Sequence, residues 1–292
     1  MKQNKYHEPV LKKEILDLVE ENISTNSKII DATLGTGGHT EEFLKKGWKV
    51  LGIEIDNLML EIAKERLSSQ KNVLLLKGNF KDIDQISKVN GFLDSDVILF
   101  DLGVSNLQLT SNKRGFSFSN PNADLDMRID PISQGVKAKD LLNILREDQL
   151  KEIFSKVMNY NLSKKIVREV ISYREQKKIE TVADFNQICE VLPKKESLNK
   201  ATLAYLALRI AVNSELENLS EALPKAFEIL KEGGILLIIS FHSGEDRVVK
   251  QYFRSLSKKG FAQIFEVVRP ESSEIVKNPR SRSAKLRCLK KL

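Results

Sequence analysis

Three acids, Asp31, Glu54 and Asp101, each close a short apolar run of the chain. Between the first two lies Gly35-Thr36-Gly37-Gly38-His39-Thr40, a turn rich in the residue that lets a backbone approach a ligand closely. The dinucleotide fingerprint needs glycine or alanine at the sixth position, and here that position is Thr40. No Gly-Lys-Ser/Thr follows, so the turn is not a P-loop either. Glu54 stands where an acid at the end of a second strand accepts the two hydroxyls of a ribose. Asp31 would repel a pyrophosphate but suits an ammonium or sulfonium group. S-adenosylmethionine has a ribose and both cations, with no phosphate. A tight strand-to-helix turn with no ligand is the plainer alternative, and the acids weigh against it. Asp101 stands where the adenine and the reacting centre of such a cofactor would meet. Phe80 follows the third strand, either as a platform for adenine or, more often for a lone phenylalanine, as core.

These residues need elements to position them. The runs 27–33, 48–55, 72–78 and 96–103 read as nearly continuous apolar strands separated by amphipathic helices, the pattern of a parallel sheet covered on both faces. From about residue 106 the composition changes. The stretch 109–131 mixes Gly, Asn, Pro, Asp and Arg without periodicity and reads as a long loop. Only helical patterns follow, around 137–158, 162–177, 182–192 and 199–217. The α/β pattern resumes with a helix closed by glycines, a buried strand in "GILLIISFHS", a helix over 245–257, and two strand-like pieces, "IFEVVRP" and "AKLRCLK". The simplest architecture is one Rossmann-like α/β domain, residues 1–105 and 212–292, interrupted by an inserted loop plus all-helical domain, residues 106–211.

Composition bounds the function. The chain has 292 residues, 41% hydrophobic and 30% charged, with a net charge of +7. That excess permits a polyanionic partner without requiring one. Its two cysteines, Cys189 and Cys288, lack metal-type spacing, which predicts a reduced compartment and no metal. The N-terminus lacks the apolar segment of a signal peptide, and no run approaches a membrane span, so the expectation is a cytoplasmic protein with no membrane partner.

Several longer segments resemble the RsmH (MraW) family, bacterial S-adenosylmethionine-dependent methyltransferases of small-subunit ribosomal RNA. They are "HEPVL" (7–11), "DATLGTGGHT" (31–40), "DLGVSNLQL" (101–109), "RGFSF" (114–118), "DLDMRID" (124–130), "LALRIAVNSELE" (206–217), "GGILLIISFHSGEDR" (233–247) and "NPRSRSAKLR" (278–287). They occur in order over nearly the full length. The resemblance implies a class I methyltransferase fold with a helical insertion, and methylation of N4 of a cytosine in the decoding centre of 16S rRNA. The partner it implies is 16S rRNA in the small ribosomal subunit or in an assembly intermediate; a homodimer stays open. It puts cofactor contacts on Gly37, Gly38, His39, Glu54, Phe80, Asp101 and Gln108. The family usually has aspartate where this chain has Glu54; Asp56 points to the same face, but Glu54 fits the register better. Gly244 replaces a usual leucine, and "SNLQLT" a more frequent "SSPQLD".

Methyl transfer from a sulfonium is an in-line displacement, so positioning dominates. The N4 lone pair of cytosine is delocalised, and acceptors are needed for its N–H groups. Asp101, or backbone carbonyls of 102–104, would supply them, which makes Asp101 the candidate catalytic residue. Arg114, Phe116, Phe118 and Arg128 in the long loop suit a splayed base and phosphates, or equally a loop pinned to its own core. His242, Ser243, Asp246 and Arg247 lie in one segment, with a salt-bridged structural role at least as good for the last two. No nucleophile elbow supports a Ser-His-Asp hydrolase. The last sixteen residues hold seven Lys/Arg and no acid, a solvated face or, with an RNA substrate, a phosphate contact; the helix around 162–178 is a weaker candidate of the same kind. Two rivals remain: a nucleotide-dependent oxidoreductase on the same fold, and a ribosome-assembly factor that binds RNA without catalysis.

Overall fold

The computed structural model describes residues 8–24, 26–111, 113–194 and 199–292. His7, the first residue of "HEPVL", lies outside them. The chain divides into two compact units, Met1–Gly103 with Leu216–Leu292, and Val104–Glu215.

The first unit is built on one sheet. Its strands are β1 (Lys28–Asp31), β2 (Lys49–Glu54), β3 (Val73–Lys77), β4 (Ser95–Asp101), β5 (Leu230–Ser240), β6 (Ala262–Ile264) and β7 (Lys285–Lys291). They lie in the order β3-β2-β1-β4-β5-β7-β6. The first five strands pair in parallel, and β7 runs antiparallel to both β5 and β6. Alternate residues of the central strands go to opposite faces, as the two-residue period of a strand requires. Ile30, Leu51, Ile98, Phe100, Leu236 and Ile238 join one core cluster, with residues of helices Glu215–Ile229 and Ser243–Lys258. Ile29, Val50, Val97, Leu99, Ile235, Leu237 and Ile239 join the other, with helices Lys12–Asn22 and Gly38–Lys45. Both faces are therefore apolar, which is why these strands read as continuous apolar runs.

The expected strand "IFEVVRP" overlaps an observed strand only at Ile264. Only Ala262–Ile264 pairs as a strand, and Val268 adds a single bridge to Leu286. The basic C-terminal run forms β7, inserted between β5 and β6. Leu286, Cys288 and Leu289 of β7 are buried, and the lysines and arginines between them extend along its sides.

The second unit is helical: Asn106–Thr110, Ala138–Ile144, Glu147–Ser155, Tyr160–Gln176, Val182–Cys189 and Thr202–Asn213. The pattern over 137–158 is two helices, because Leu145 and Arg146 are extended. The Arg174 guanidinium donates to the carbonyls of Leu142 (2.7 Å) and Leu145 (2.8 Å), so a side chain distant in sequence holds that break. The pattern over 199–217 stops at Asn213, where Ser214 turns into the left-handed region at φ 49°. Among the described residues no helix is long and apolar enough to cross a membrane.

Candidate active site at the carboxyl ends of the strands

The strand order reverses at β1: β2 and β3 lie to one side and β4 to the other. Ligands of open α/β sheets bind at such a switch point, beyond the carboxyl ends of the strands. Asp31 is the last residue of β1 and Asp101 the last of β4, on neighbouring strands, and Glu54 ends β2 on the other side. The geometry brings together the acids that their spacing singled out.

Asp31 is buried. Its Oδ2 accepts from the Thr40 hydroxyl at 2.7 Å, whereas its Oδ1 makes no hydrogen bond of normal geometry. Burial raises the pKa of this carboxyl; the nearby His39, the Thr40 hydroxyl and the Thr33 main-chain N–H pull it down, and the Asp101 charge pushes it up. Thr40, the residue that breaks the dinucleotide fingerprint, is thus the one that anchors Asp31. In the sequence, Thr40 is legible only as the residue standing where a glycine or alanine would be.

Asp101 is partly exposed. Its main-chain N–H donates to the Thr33 hydroxyl at 2.6 Å, which ties the end of β4 to the residue after Ala32. Its Oδ2 lies 3.7 Å from His39 Nε2. Both Asp101 Oδ1 and His39 Nε2 are buried without a hydrogen-bond partner among the described residues. A buried polar atom left unpaired costs about 1–3 kcal/mol, and native structures seldom tolerate several together without a ligand to satisfy them. Three such atoms, Asp31 Oδ1, His39 Nε2 and Asp101 Oδ1, belong to three interacting residues here. Two acceptors and an imidazole suit a cationic, hydroxyl-bearing ligand far better than an anion.

Glu54 has a second role that its position in sequence did not reveal. Its Oε2 accepts the Gly35 N–H at 2.7 Å and its Oε1 the Asp56 N–H at 2.8 Å, so it fastens the glycine turn to β2. Burial pushes its pKa up to about 7, against the pull of those two N–H bonds. Each oxygen keeps a second lone pair. Asp56 caps helix Asn57–Arg66 through the Leu58 N–H at 2.9 Å, which separates its structural role from that of Glu54.

The glycines answer to several demands. Gly35 and Gly37 sit at φ 55° and 80°, which glycine alone adopts at little cost. A Cβ on Gly37 would meet Leu67 Cδ1 at 2.9 Å, and one on Gly38 would meet Pro9 Cγ at 2.7 Å. Part of the glycine requirement therefore comes from the chain's own side chains. Arg66 adds an outer support, donating to the Thr36 carbonyl at 3.4 Å and to Glu41 at 2.8 Å. Neither Pro9 nor Arg66 carries a local signal that would have found it. Phe80 opens a short 3-10 turn and meets Phe100 edge-on at 5.6 Å, so one side of its ring belongs to the core.

Gln108 lies in the other unit. Its side-chain oxygen accepts the Ser105 N–H at 2.7 Å while its own N–H donates to the Ser105 hydroxyl, a reciprocal cap of helix Asn106–Thr110. In the same unit, Arg114 and Arg128 are occupied by their own loop, and Phe116 and Phe118 by the helical core. Arg128 clasps Asp126 through Nε and Nη2 and donates to the carbonyls of Pro131 and Gln134. Arg114 donates to the carbonyls of Arg128 and Ile129. Phe116 is buried in the helical core, and Phe118 packs edge-on against Tyr205 at 5.9 Å.

His242 caps helix Ser243–Lys258, its Nδ1 accepting from Gly244 and Glu245. Asp246 is held by Arg287 (2.8 Å) and Lys285 (3.0 Å) of β7, not by its sequence neighbour Arg247. Lys290 bonds to Asn22, and Lys291 to three carbonyls after Ala226. Four of the tail's basic groups thus have internal partners, while Lys277, Arg280 and Arg282 are exposed.

Strand order, the antiparallel β7 and the acids at the switch point together define a class I methyltransferase. A family model described as the MraW methylase family matches residues 4–292. The chain belongs to that family. Similar proteins include the Ribosomal RNA small subunit methyltransferase H of Coprothermobacter proteolyticus, 39% identical over 98% of this chain and 96% of that protein. The protein of the same name from a Hydrogenobaculum species is 42% identical over 97% of this chain and 95% of its own length. Among solved structures, an rRNA methylase from Streptococcus thermophilus aligns at 14% identity over 96% of this chain and 95% of that one, with a TM-score of 0.48.

Proposed function

We propose that this protein transfers a methyl group from S-adenosylmethionine to the exocyclic N4 of a cytosine in the decoding centre of 16S rRNA. The coarser statement, S-adenosylmethionine-dependent methylation of small-subunit rRNA, has the support of the family and of relatives that carry that activity in their names over nearly the whole chain. The observation that carries the chemistry is the group of unpaired polar atoms on Asp31, His39 and Asp101 at the switch point.

Gly37, Gly38, His39, Glu54, Phe80, Asp101 and Gln108 would hold the cofactor. When bound, S-adenosylmethionine supplies an electrophilic methyl on a positive sulfur. Glu54, already fixed by Gly35 and Asp56, offers its remaining lone pairs to the ribose hydroxyls. Asp31 offers its Oδ1, which makes no hydrogen bond of normal geometry, to the cationic end of the cofactor. Phe80 stands where the adenine would lie, its ring steadied by Phe100. Asp101, at the end of β4, accepts an N–H of the cytosine amine and holds its nitrogen in line with the methyl; orientation of this kind replaces much of the entropy cost of the displacement. The base must leave its stack to reach such a pocket. The unit Val104–Glu215 is the proposed RNA-recognition part, in the small subunit or an assembly intermediate, in the cytoplasm where ribosomes are built.

The test is mass spectrometry of small-subunit rRNA from cells with and without the gene. N4-methylcytosine at the decoding centre should vanish in its absence; an unchanged methyl would overturn the assignment.

A further inference from the structure

The basic residues near the C-terminus fall into two sets. Lys285, Arg287, Lys290 and Lys291 bond inside the fold, to Asp246, Asn22 and main-chain carbonyls. Lys277, Arg280 and Arg282 are exposed and make no side-chain hydrogen bond or ion pair among the described residues. From Asn278 to the last residue the chain has no acid.

The backbone that carries these three cations is held in place. Lys277 ends helix Ser272–Lys277, in which Glu274 accepts the Leu11 N–H through Oε1 at 3.0 Å. Pro9, two residues before Leu11, lies against Gly38 of the glycine turn. A 3-10 turn, Pro279–Ser283, follows the helix. Its middle residue Ser281 is buried, with its hydroxyl donating to the Asn278 carbonyl at 2.8 Å. With Ser281 inward, Arg280 and Arg282 on either side of it face solvent.

Position decides what these charges can serve. Lys285, the first residue of β7, pairs with Ser240, and Asp101 pairs with Ile239, one residue earlier on β5. The start of β7 is therefore two strands over from Asp101, or about 10 Å at the ordinary strand spacing. Because β7 runs antiparallel to β5, the turn leading into it lies beyond the carboxyl edge of the sheet. Asp31, Glu54 and Asp101 end their strands at that same edge.

We infer that Lys277, Arg280 and Arg282 form a phosphate-binding surface beside the cofactor site, which grips the RNA backbone next to the cytosine being methylated. The inference rests on the methyltransferase reading and adds a contact in the first unit, apart from Val104–Glu215. A base drawn out of its stack brings its own phosphate and those of its neighbours to the mouth of the pocket. Contacts of this kind read no base; they fix the register and orientation of the strand.

The test compares two equal losses of charge. Arg280→Gln/Arg282→Gln removes two cations at the carboxyl edge. Lys258→Gln/Lys259→Gln removes two exposed ones at the far end of helix Ser243–Lys258, about 24 Å along its axis from the end that follows β5. Each protein is titrated with small subunits from cells lacking the gene, over a series of salt concentrations. The arginine pair should weaken binding at least about tenfold near 0.1 M salt and flatten the log–log salt dependence by about 1.4, the value for two phosphates of a single strand. The lysine pair should leave both unchanged. Arg280→Lys/Arg282→Lys should restore most of the loss, since a phosphate accepts a point charge as well as a fork. In methylation assays the arginine pair should raise KM for subunits while kcat and the S-adenosylmethionine Kd stay as in the wild type. Wild-type binding by the arginine pair, an equal fall in both double variants, or a lower kcat at unchanged KM would overturn the inference. Absence of methyl transfer by the wild type, with the binding contrast intact, would instead overturn the methyltransferase reading.

Discussion

Residues 31–56 together with Asp101, and residues 109–131, are two polar regions that look equally suited to ligands in the sequence, and their hydrogen bonding differs. In the second, Arg114 and Arg128 donate to four carbonyls and a carboxylate of their own loop, and Phe116 is buried beneath them. In the first, Asp31, His39 and Asp101 each keep a buried polar atom without a partner. Charged and aromatic residues in a loop therefore do not by themselves indicate a binding surface. What marks the candidate site is that several such unpaired atoms gather on interacting side chains at the switch point.

The largest expected effect is at the first region. Asp101→Ala should reduce methyl transfer by about 10³-fold or more, since it removes the acceptor that holds the amine in line. Cofactor binding measured by calorimetry in the same variant separates chemistry from affinity. Full activity would remove Asp101 from the mechanism.

Arg128→Ala probes the other side of the contrast. Its guanidinium makes a bidentate pair with Asp126 and bonds to two carbonyls, and its side chain is only 13% exposed. Loss of about 2–4 kcal/mol in urea denaturation is expected, from charge-assisted bonds whose partners stay behind unpaired. A variant of undiminished stability that bound RNA more weakly would return this loop to the RNA surface.

Gly38→Ala should destabilise by about 1–3 kcal/mol, because its Cβ would lie 2.7 Å from Pro9 Cγ. Pairing it with Pro9→Ala in a double-mutant cycle should recover part of that loss. No coupling would mean that the glycine answers to a ligand alone.

The smallest effect is a pH dependence. The Glu54 carboxyl has a folded pKa of about 7 against an ordinary value of 4.5. Between those values the folded chain binds more protons than the unfolded chain, so its contribution to stability is fully present below pH 4.5 and is lost as pH rises through about 7. Glu54→Gln should flatten that part of the Tm-against-pH curve for the cofactor-free protein. Cofactor affinity should run the opposite way in the wild type, rising through the same range as the carboxylate forms and accepts both ribose hydroxyls.

Much of the first unit could be read from the chain. Runs such as "DVILF" are apolar at every position because both faces of the sheet are covered, and an acid that ends such a run projects beyond it. Other features depend on partners distant in sequence. The tail "KLRCLKK" reads as strand-like and is an inner strand, but its Arg287 and Lys285 pair with Asp246, and nothing local records that pairing. The break at Leu145 depends on Arg174, and the need for glycine at 38 depends on Pro9. In each case the local pattern was compatible with two outcomes and a long-range contact selected one. Thr40 is the instructive exception, since its position was known and only its bond to Asp31 was not.

The most direct measurement uses purified protein, S-adenosylmethionine and small subunits from cells lacking the gene, with the nucleosides of digested rRNA read by mass spectrometry. The wild type should restore N4-methylcytosine at the decoding centre, and Asp101→Ala should leave the base unmodified. Methylation at another atom, or equal product from both proteins, would contradict the account.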